Sequence, residues 1–319
     1  MGKTAYLYPG QGAQQTGMCQ AFYERYPSVR KRIAEASEIL GYGLAELMFE
    51  PDERLNETAY TQPAMVAAEL AMTQVVDGLL AAKGIRADYS AGLSLGEYAA
   101  IASAGGFSFE EAVKTVAVRG KRMAEAVPAG QGAMAAVLGA RTGQVEEIVH
   151  AMDGVYIANY NCPGQLVLTG YRTAVEEAIQ RLQAAGVRKC VFLKVSGPFH
   201  SPLLAGAGKK LLPVLEAIEW KPFSHPYVAN VHAGIVTEPG QTAELLARQV
   251  SSPVRWEQSI VTLLQNGVRT FLEIGPGRTL SGFMKKIIRA HAEELGISEA
   301  EIRMIGIAVP EDLAALEEL

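Results

Sequence analysis

A serine between two glycines, in GLSLG at 92–96, is the feature that most constrains the fold. It follows a short apolar segment with the composition of a strand and precedes LGEYAAIASAG, which has that of a helix. A sharp strand-to-helix turn leaves little room for a Cβ, and glycines on both sides suit it. Such a turn exposes the Ser94 hydroxyl. The same residues also fit a plain helix start in which Ser94 is the cap.

The order of strands and helices around this serine predicts an α/β fold with a mostly parallel sheet. One helix is expected to have Pro63 in its first turn, and another begins at a capping box of Ser108 and Glu111. The predicted strands lie at 4–8, 89–93 and in YVANV, RTFLEIG and RMIGI; the predicted helices lie at 19–40, from about 63 to 83, directly after Ser94, from 108 on, and at 241–250 and 255–266.

The pattern changes between residues 129 and 196. Strands in AMAAVL, VYIANYN, QLVLTG and KCVFLKV alternate with helices at 142–152 and 172–185, in the order β-α-β-β-α-β. This order is ferredoxin-like. We therefore predict a discontinuous larger domain, residues 1–128 and 197–319, that carries a small ferredoxin-like domain at 129–196.

Composition excludes several classes of protein. The 319 residues are 49% hydrophobic, and the net charge of −5 offers no broad cationic face for nucleic acid. Apolar stretches such as MVAAELAMTQVV are interrupted by Glu69 and Gln74, short of the roughly 18 residues that a membrane span needs. Three cysteines without CxxC spacing and scattered histidines indicate neither a disulfide framework nor a metal site. A cytoplasmic protein is expected, and nothing requires more than a monomer.

A serine becomes a nucleophile only when a base takes its proton, and His200 is the best candidate. It lies in VSGPFHSPLL, where Gly197 and Pro198 end a predicted strand that runs to Ser196. The other histidines, His150, His225, His232 and His291, are expected to be solvated or structural. Of the acids between the serine and His200, Asp153, Glu176 and Glu177 lie in the small domain and are poor candidates for a third catalytic member, so a neutral acceptor such as a backbone carbonyl is expected to orient the imidazole.

Attack on a carbonyl also needs N–H groups that stabilise the negative oxygen. The N–H of Leu95 directly follows the turn, and the loop Gly10-Gln11-Gly12 after the first strand supplies a second if the two strands are neighbours. The alternative for this loop is a simple tight turn. It is not a dinucleotide fingerprint, because Gln15 stands where the third glycine is needed, so no bound cofactor is expected.

Taken together, these motifs resemble the malonyl-CoA:acyl-carrier-protein transacylase family of fatty-acid and polyketide synthesis. The resemblance covers nearly the whole chain, through YPGQGAQ, GLSLGEYAA, VAVRGKRM, ANYNCPGQLVLTG, GPFHSPLL, PVRW and EIGPG. It implies a hydrolase-like α/β core with a ferredoxin-like insertion. It also implies Ser94 as nucleophile, His200 as base, Gln11 and Leu95 N–H groups as oxyanion hole, and the Gln249 main-chain carbonyl as the group that orients the histidine.

For the substrate, the resemblance implies that Arg119 holds the free carboxylate of a malonyl group. An arginine that is buried, as the neighbouring residues 116–118 indicate, can grip a carboxylate through two parallel hydrogen bonds. Asn161 corresponds to a polar position at the site's mouth, Phe199 to the aromatic of malonyl-selective members, and Met123 to a residue lining the substrate site. For Phe199, simple packing is an equal alternative.

The expected reaction is ping-pong transfer of malonyl from malonyl-CoA, through an ester on Ser94, to the phosphopantetheine thiol of an acyl carrier protein. The resemblance implies an acidic carrier, for which two basic groups are candidates: Lys285, Lys286 and Arg289, or Lys189 and Lys194. Two alternatives stay open. The chain could be an acyl-thioester hydrolase of the editing type or a non-catalytic binding module on the same scaffold.

Overall fold

The computed structural model describes residues 2–128, 130–195 and 197–319. Within these residues the strands are β1 Lys3–Tyr8, β2 Tyr89–Gly92, β3 Gly132–Leu138, β4 Val155–Cys162, β5 Gln165–Tyr171, β6 Lys189–Phe192, β7 Tyr227–Val228, β8 Ile235–Val236, β9 Val268–Ile274 and β10 Arg303–Ile307. The α-helices are α1 Gln20–Arg25, α2 Pro27–Leu40, α3 Leu44–Phe49, α4 Thr58–Ala82, α5 Gly96–Ser103, α6 Phe109–Ala124, α7 Thr142–His150, α8 Arg172–Ala184, α9 Ala205–Glu216, α10 Thr242–Gln249, α11 Trp256–Gln265 and α12 Thr279–His291.

The larger sheet has the strand order β10-β9-β1-β2-β7-β8. Every neighbouring pair is parallel except β7 with β8. Strands β1 and β2 are buried almost throughout, as strands covered by helices on both faces are. Because β1 and β2 are parallel neighbours, the loop at 9–13 and the turn at Ser94 leave the sheet at the same edge. The predicted α/β fold with a mostly parallel sheet is confirmed.

The smaller sheet is antiparallel, with the order β4-β5-β3-β6. Helices α7 and α8 pack on it around a separate apolar cluster that includes Val137, Leu168 and Val175. This strand order is the ferredoxin-like one that the sequence predicts. Residues 129 and 196, the limits of the predicted small domain, lie outside the described residues, and the division into domains stays a prediction.

Two helix predictions were wrong. The helix predicted at 19–40 is two helices, because Pro27 begins α2 and the preceding Tyr26 is extended, with φ −114° and ψ 115°. Pro63 does not lie in the first turn of α4, since this helix already begins at Thr58. A proline at the sixth position removes one backbone donor, and the helix continues through it to Ala82.

Helix α4 also corrects the reasoning about membranes. By length and composition alone it is apolar enough to cross a membrane, because one glutamate, one aspartate and two glutamines are few among so many apolar residues. The expectation that Glu69 and Gln74 make this stretch too polar was therefore wrong. In the structure most of the helix is buried by the protein itself, against α2 and α6.

The strand predicted up to Ser196 ends at Phe192, and Ser196 lies outside the described residues. Val191, Phe192 and Leu193 are exposed there, at the edge of the smaller sheet. The strand predicted in YVANV is likewise short: it covers Tyr227–Val228, and Asn230 lies beyond it in a turn. Of these two short strands, β6 lies at the edge of its sheet, where strands are commonly short.

Candidate active site

Ser94 lies on a tight turn between β2 and α5. Its φ is +53°, a left-handed conformation that is uncommon outside glycine and costs on the order of 1–3 kcal/mol. An added Cβ on Gly92 would overlap the backbone of Gly96, and one on Gly96 would overlap the Tyr8 carbonyl. The two glycines are therefore required by close contact between turn, helix and β1. The alternative of a plain cap does not fit, because the N-cap residue of α5 is Leu95 and the Ser94 hydroxyl lies against His200.

The Ser94 hydroxyl contacts the imidazole of His200. The distance from Oγ to Nε2 is 2.6 Å, and the histidine is buried, with φ +58°. On the other side of the ring, Nδ1 lies 2.9 Å from the Gln249 carbonyl oxygen and 3.2 Å from that of Ser252. Carbonyl oxygens only accept hydrogen bonds, so Nδ1 carries the proton and Nε2 is free to accept from Ser94.

The environment keeps this histidine uncharged. Burial, and then the positive charge of Arg119, lower the pKa of His200 to about 4. Its backbone contacts with Gln249 and Ser252 oppose this shift but are the smaller effect. At neutral pH the imidazole is therefore in the form that can take a proton.

Arg119 is buried beside this pair and carries a charge without a counterion. It is 1% exposed, and one guanidinium nitrogen donates to Gln249 Oε1 at 2.8 Å and lies 3.3 Å from Ser94 Oγ. The guanidinium also stacks over the Tyr98 ring at 5.2 Å. Within the described residues it forms no ion pair with a carboxylate, and its Nε has no partner. Such a cation is a ready site for an anionic group.

A cavity of about 240 Å³ opens between the two sheets onto Ser94, His200 and Arg119. Its wall includes four other residues that the sequence singles out: Gln11, Met123, Asn161 and Phe199. The Asn161 side-chain oxygen is buried and has no partner among the described residues, so it can accept a hydrogen bond from a ligand. The remaining lining is mostly apolar, with Met134, Val167 and Phe283 among it.

The two predicted oxyanion donors belong to the loop after β1 and to the residue that follows Ser94. An added Cβ on Gly10 would overlap the Leu93 carbonyl, so the loop that carries Gln11 lies directly against the turn. The Gln11 side chain is held by Thr58 Oγ1 at 2.9 Å. Leu95 is fully buried, is the N-cap residue of α5 and is not among the residues that line the cavity. N–H groups at a helix start have no partner within the helix.

Sequence reasoning missed two residues that hold the turn, Asn230 and Glu97. Asn230 accepts from the Ser94 N–H and donates to the Gly92 carbonyl, both at 2.7 Å. Glu97 is buried in α5 and accepts from Gln249 Nε2 at 2.7 Å. A signal for Glu97 was present, since it is an acid in the otherwise apolar helix that follows the serine.

Other residues with catalytic or ligating potential lie elsewhere. His200 is the one histidine along the cavity wall in the described part of the chain. In that same part, no cluster of three or more His, Cys, Asp or Glu side chains could hold a metal ion, and Cys19, Cys162 and Cys190 are unpaired.

Comparison with known proteins identifies the family of this chain. Residues 5–305 match the family model for the acyl transferase domain. The malonyl CoA-acyl carrier protein transacylase of Bacillus subtilis is 42% identical over 306 residues, 94% of this chain and 95% of that protein. The crystal structure of MCAT from Streptococcus pneumoniae superposes with a TM-score of 0.90 at 41% identity, over 99% of this chain and 100% of the other.

A third relative was solved with a partner. It is a malonyl-transacylase in complex with a type II PKS acyl-carrier protein, with a TM-score of 0.90 and 37% identity over 99% of this chain and 100% of that one. These matches cover almost the full length of each protein and agree with the fold. The chain belongs to the acyl transferase family and, within it, to the malonyl CoA-acyl carrier protein transacylases.

Proposed function

We propose that this protein transfers the malonyl group from malonyl-CoA to the phosphopantetheine thiol of an acyl carrier protein. The observation that carries the substrate assignment is the unpaired, buried guanidinium of Arg119 beside Ser94 Oγ. A malonyl thioester has a reactive carbonyl at one end and a free carboxylate at the other, so it matches both groups at once. The Ser94–His200 pair supplies the covalent chemistry.

In the first half-reaction, His200 Nε2 takes the proton of Ser94 while Oγ attacks the thioester carbonyl. The N–H groups of Gln11 and Leu95 receive the developing negative oxygen, and each such donor is worth about 3–4 kcal/mol in the transition state. The carbon–sulfur bond then breaks, and the thiolate takes the proton from the imidazolium. CoA leaves as thiol, and a malonyl ester remains on the serine.

The second half-reaction reverses this order. His200 takes the proton of the carrier's thiol, the sulfur attacks the ester carbonyl, and the serine oxygen leaves with the proton from the imidazolium. The Gln249 carbonyl keeps the ring in the tautomer that this exchange needs. Atoms and electrons balance between thioester, ester and thiol, so the steps call for no cofactor or metal.

Two alternatives are less well supported. A hydrolase of acyl thioesters needs no cation for a second carboxylate, and the named relatives are transacylases. A non-catalytic binding module has no need for a serine held 2.6 Å from an uncharged imidazole. Both rivals share the scaffold, but neither accounts for Arg119.

The physiological setting is part of the proposal. The solved complex of a related malonyl-transacylase with an acyl-carrier protein supports such a carrier as the partner here. The three unpaired cysteines suit a reducing compartment, and we place the enzyme in the cytoplasm as a monomer.

The test is intact-mass analysis after mixing with malonyl-CoA. We expect the wild-type protein to gain one malonyl group and to lose it when holo carrier protein is added. Ser94→Ala abolishes the gain, because no other side chain at this site is a primed alcohol. Ser251→Ala, outside the cavity wall, serves as the control. Labelling that survives in Ser94→Ala places the nucleophile elsewhere, and loss of malonyl to water as fast as to the carrier favours the hydrolase.

A further inference from the structure

Resting on the proposed function, we propose that Glu97 is a positioning residue. Its buried carboxyl orients the Gln249 amide, which in turn holds Arg119 toward Ser94 and so sets the preference for acyl groups that carry a free carboxylate. Glu97 touches neither the cavity nor the reacting atoms. It acts through the two side chains between it and the substrate.

The contacts around Gln249 leave only one orientation for its amide. Arg119 can only donate, and it faces Gln249 Oε1 at 2.8 Å. The Ser94 carbonyl can only accept, and Gln249 Nε2 donates to it at 2.7 Å. The second hydrogen on Nε2 goes to Glu97 Oε2, also at 2.7 Å. Every polar atom of this amide therefore has a partner, and Glu97 takes the last free hydrogen.

Glu97 also contacts both residues that hold the strained serine, Asn230 through its backbone and Gln249 through its side chain. Its Oε1 accepts from the Asn230 N–H at 3.3 Å, while the Asn230 side chain binds the backbone on both sides of the turn. The Gln249 main-chain carbonyl, on the same residue as the amide, receives Nδ1–H of His200. One carboxyl thus supports the serine, the histidine and the arginine at the same time.

The charge state of this carboxyl matters for the arginine. Burial raises the pKa of Glu97 to about 8, against the smaller effects of its hydrogen bonds and of Arg119. Below that pH it is a neutral acid, so it holds the amide without neutralising the guanidinium. Above it, the carboxylate lies one amide away from Arg119 and competes with the carboxylate of the substrate.

Other groups around Glu97 do not titrate in this range. Arg119 of α6 stays charged, since arginine loses its proton only far above neutral pH. Burial raises the pKa of Tyr98, on the same helix, and of Tyr227 on β7, well above their usual range. His200 titrates near 4. A change in selectivity near pH 8 is therefore assigned to Glu97.

The test compares the kcat/KM of acylation for malonyl-CoA and acetyl-CoA in three proteins. Glu97→Leu removes the acceptor and is expected to lower the malonyl-to-acetyl ratio by about tenfold or more, mainly through the KM for malonyl-CoA, because the buried Gln249 amide hydrogen is left without a partner. Glu97→Gln, which mimics the neutral acid, keeps the ratio near neutral pH. Glu69→Leu is the matched control, because Glu69 is equally buried in α4 but away from the cavity wall.

A pH profile of the wild type provides the second measurement. The ratio is expected to fall as the pH rises through about 8, because the ionised Glu97 carboxylate then competes with the carboxylate of the substrate, and Glu97→Gln stays flat over that range. Taking the ratio cancels titrations that both substrates share.

Each outcome decides the matter. Equal losses for both substrates in Glu97→Leu mean a merely structural role and overturn the proposal, as does an unchanged ratio or a flat wild-type profile. Wild-type protein that forms no malonyl ester at any pH refutes the proposed function itself, and this is seen before any variant is made.

Discussion

At the residue scale, the site depends on two residues, Ser94 and His200, whose backbone conformations are unfavourable. Ser94 and His200 are two of the four non-glycine residues with positive φ among those that the structure describes. Such strain persists only where surrounding contacts impose it, and here Asn230 and the Val250 carbonyl hold the two backbones. In these backbone conformations, Ser94 Oγ and His200 Nε2 face each other.

Substitution of Arg119 by alanine separates binding of the substrate's carboxylate from the chemistry of the ester. We expect malonyl transfer to fall about 30- to several-thousand-fold, since losing a partner for a buried charge costs about 2–5 kcal/mol, while acetyl transfer holds or rises. Steady-state kinetics with both CoA thioesters measures this. Lys121→Ala, exposed on the same helix, is the control, and equal losses for both substrates would make Arg119 structural.

The pKa of His200 predicts the acidic limb of the rate profile. Because burial lowers this pKa to about 4, the imidazole is neutral and able to act as base at any higher pH. The rate of serine acylation should rise through about pH 4 and then stay level up to neutral pH. Stopped-flow or quenched acylation with malonyl-CoA gives the profile. A midpoint close to the ordinary histidine value would show that the ring is more solvated than its contacts indicate.

At the element scale, glycines determine how closely β1, β2 and α5 approach. Gly92 and Gly96 lie where a side chain would enter the neighbouring backbone, and Gly10 packs against the turn in the same way. The parallel pairing of β1 with β2 then brings the loop with Gln11 beside Ser94. The predicted oxyanion site thus depends on the strand order and on these three glycines.

Gly92→Ala is expected to destabilise the fold by about 3 kcal/mol and to stop acylation, because the added methyl overlaps backbone that cannot move freely. Gly78→Ala is the opposite case. It lies within α4 with nothing near its added Cβ, and the change should stabilise by about 0.5–1 kcal/mol. Denaturant unfolding of both variants measures the difference, and an active, stable Gly92→Ala protein would contradict the account of the turn.

At the scale of the whole molecule, the substrate cavity exists only because the two sheets face each other. The larger sheet supplies Ser94 and the loop at 9–13, whereas Asn161, Gln165 and Val167 come from β4 and β5 of the smaller one. Exposed basic residues lie on two of the segments that line the cavity. Lys285, Lys286 and Arg289 are exposed on α12, whose Phe283 lines the cavity, and Lys194 lies between two lining residues, Leu193 and Val195.

The basic residues on α12 predict that charge affects how well the carrier protein binds. Lys285→Glu combined with Lys286→Glu should raise the KM for an acidic carrier protein several-fold, with the effect shrinking as salt is added. Acylation by malonyl-pantetheine, which lacks the carrier's charge, should not change. Lys31→Glu on α2, away from the cavity, is the control. An unchanged KM for the carrier would exclude this face of α12 from docking.

The sequence by itself determined the fold class and the ferredoxin-like order of the smaller sheet, because alternation and glycine positions are local signals that survive folding. It also singled out Ser94, His200 and Arg119, each within a recognisable motif. The residues at which helices begin were less predictable. Tyr26 and Pro63 show that a proline's effect depends on the turn in which the helix begins, which propensity alone does not locate.

Only the tertiary structure decided which side chains meet. The Gln249 amide lies between Arg119, Ser94 and Glu97, residues that are 130, 155 and 152 positions away in the chain. No periodicity encodes such a contact, since it arises from the packing of α5, α6 and α10 behind the turn. The same packing leaves Arg119 without an ion pair among the described residues. The fold brings the Gln249 amide to the guanidinium and keeps carboxylates out of contact with it.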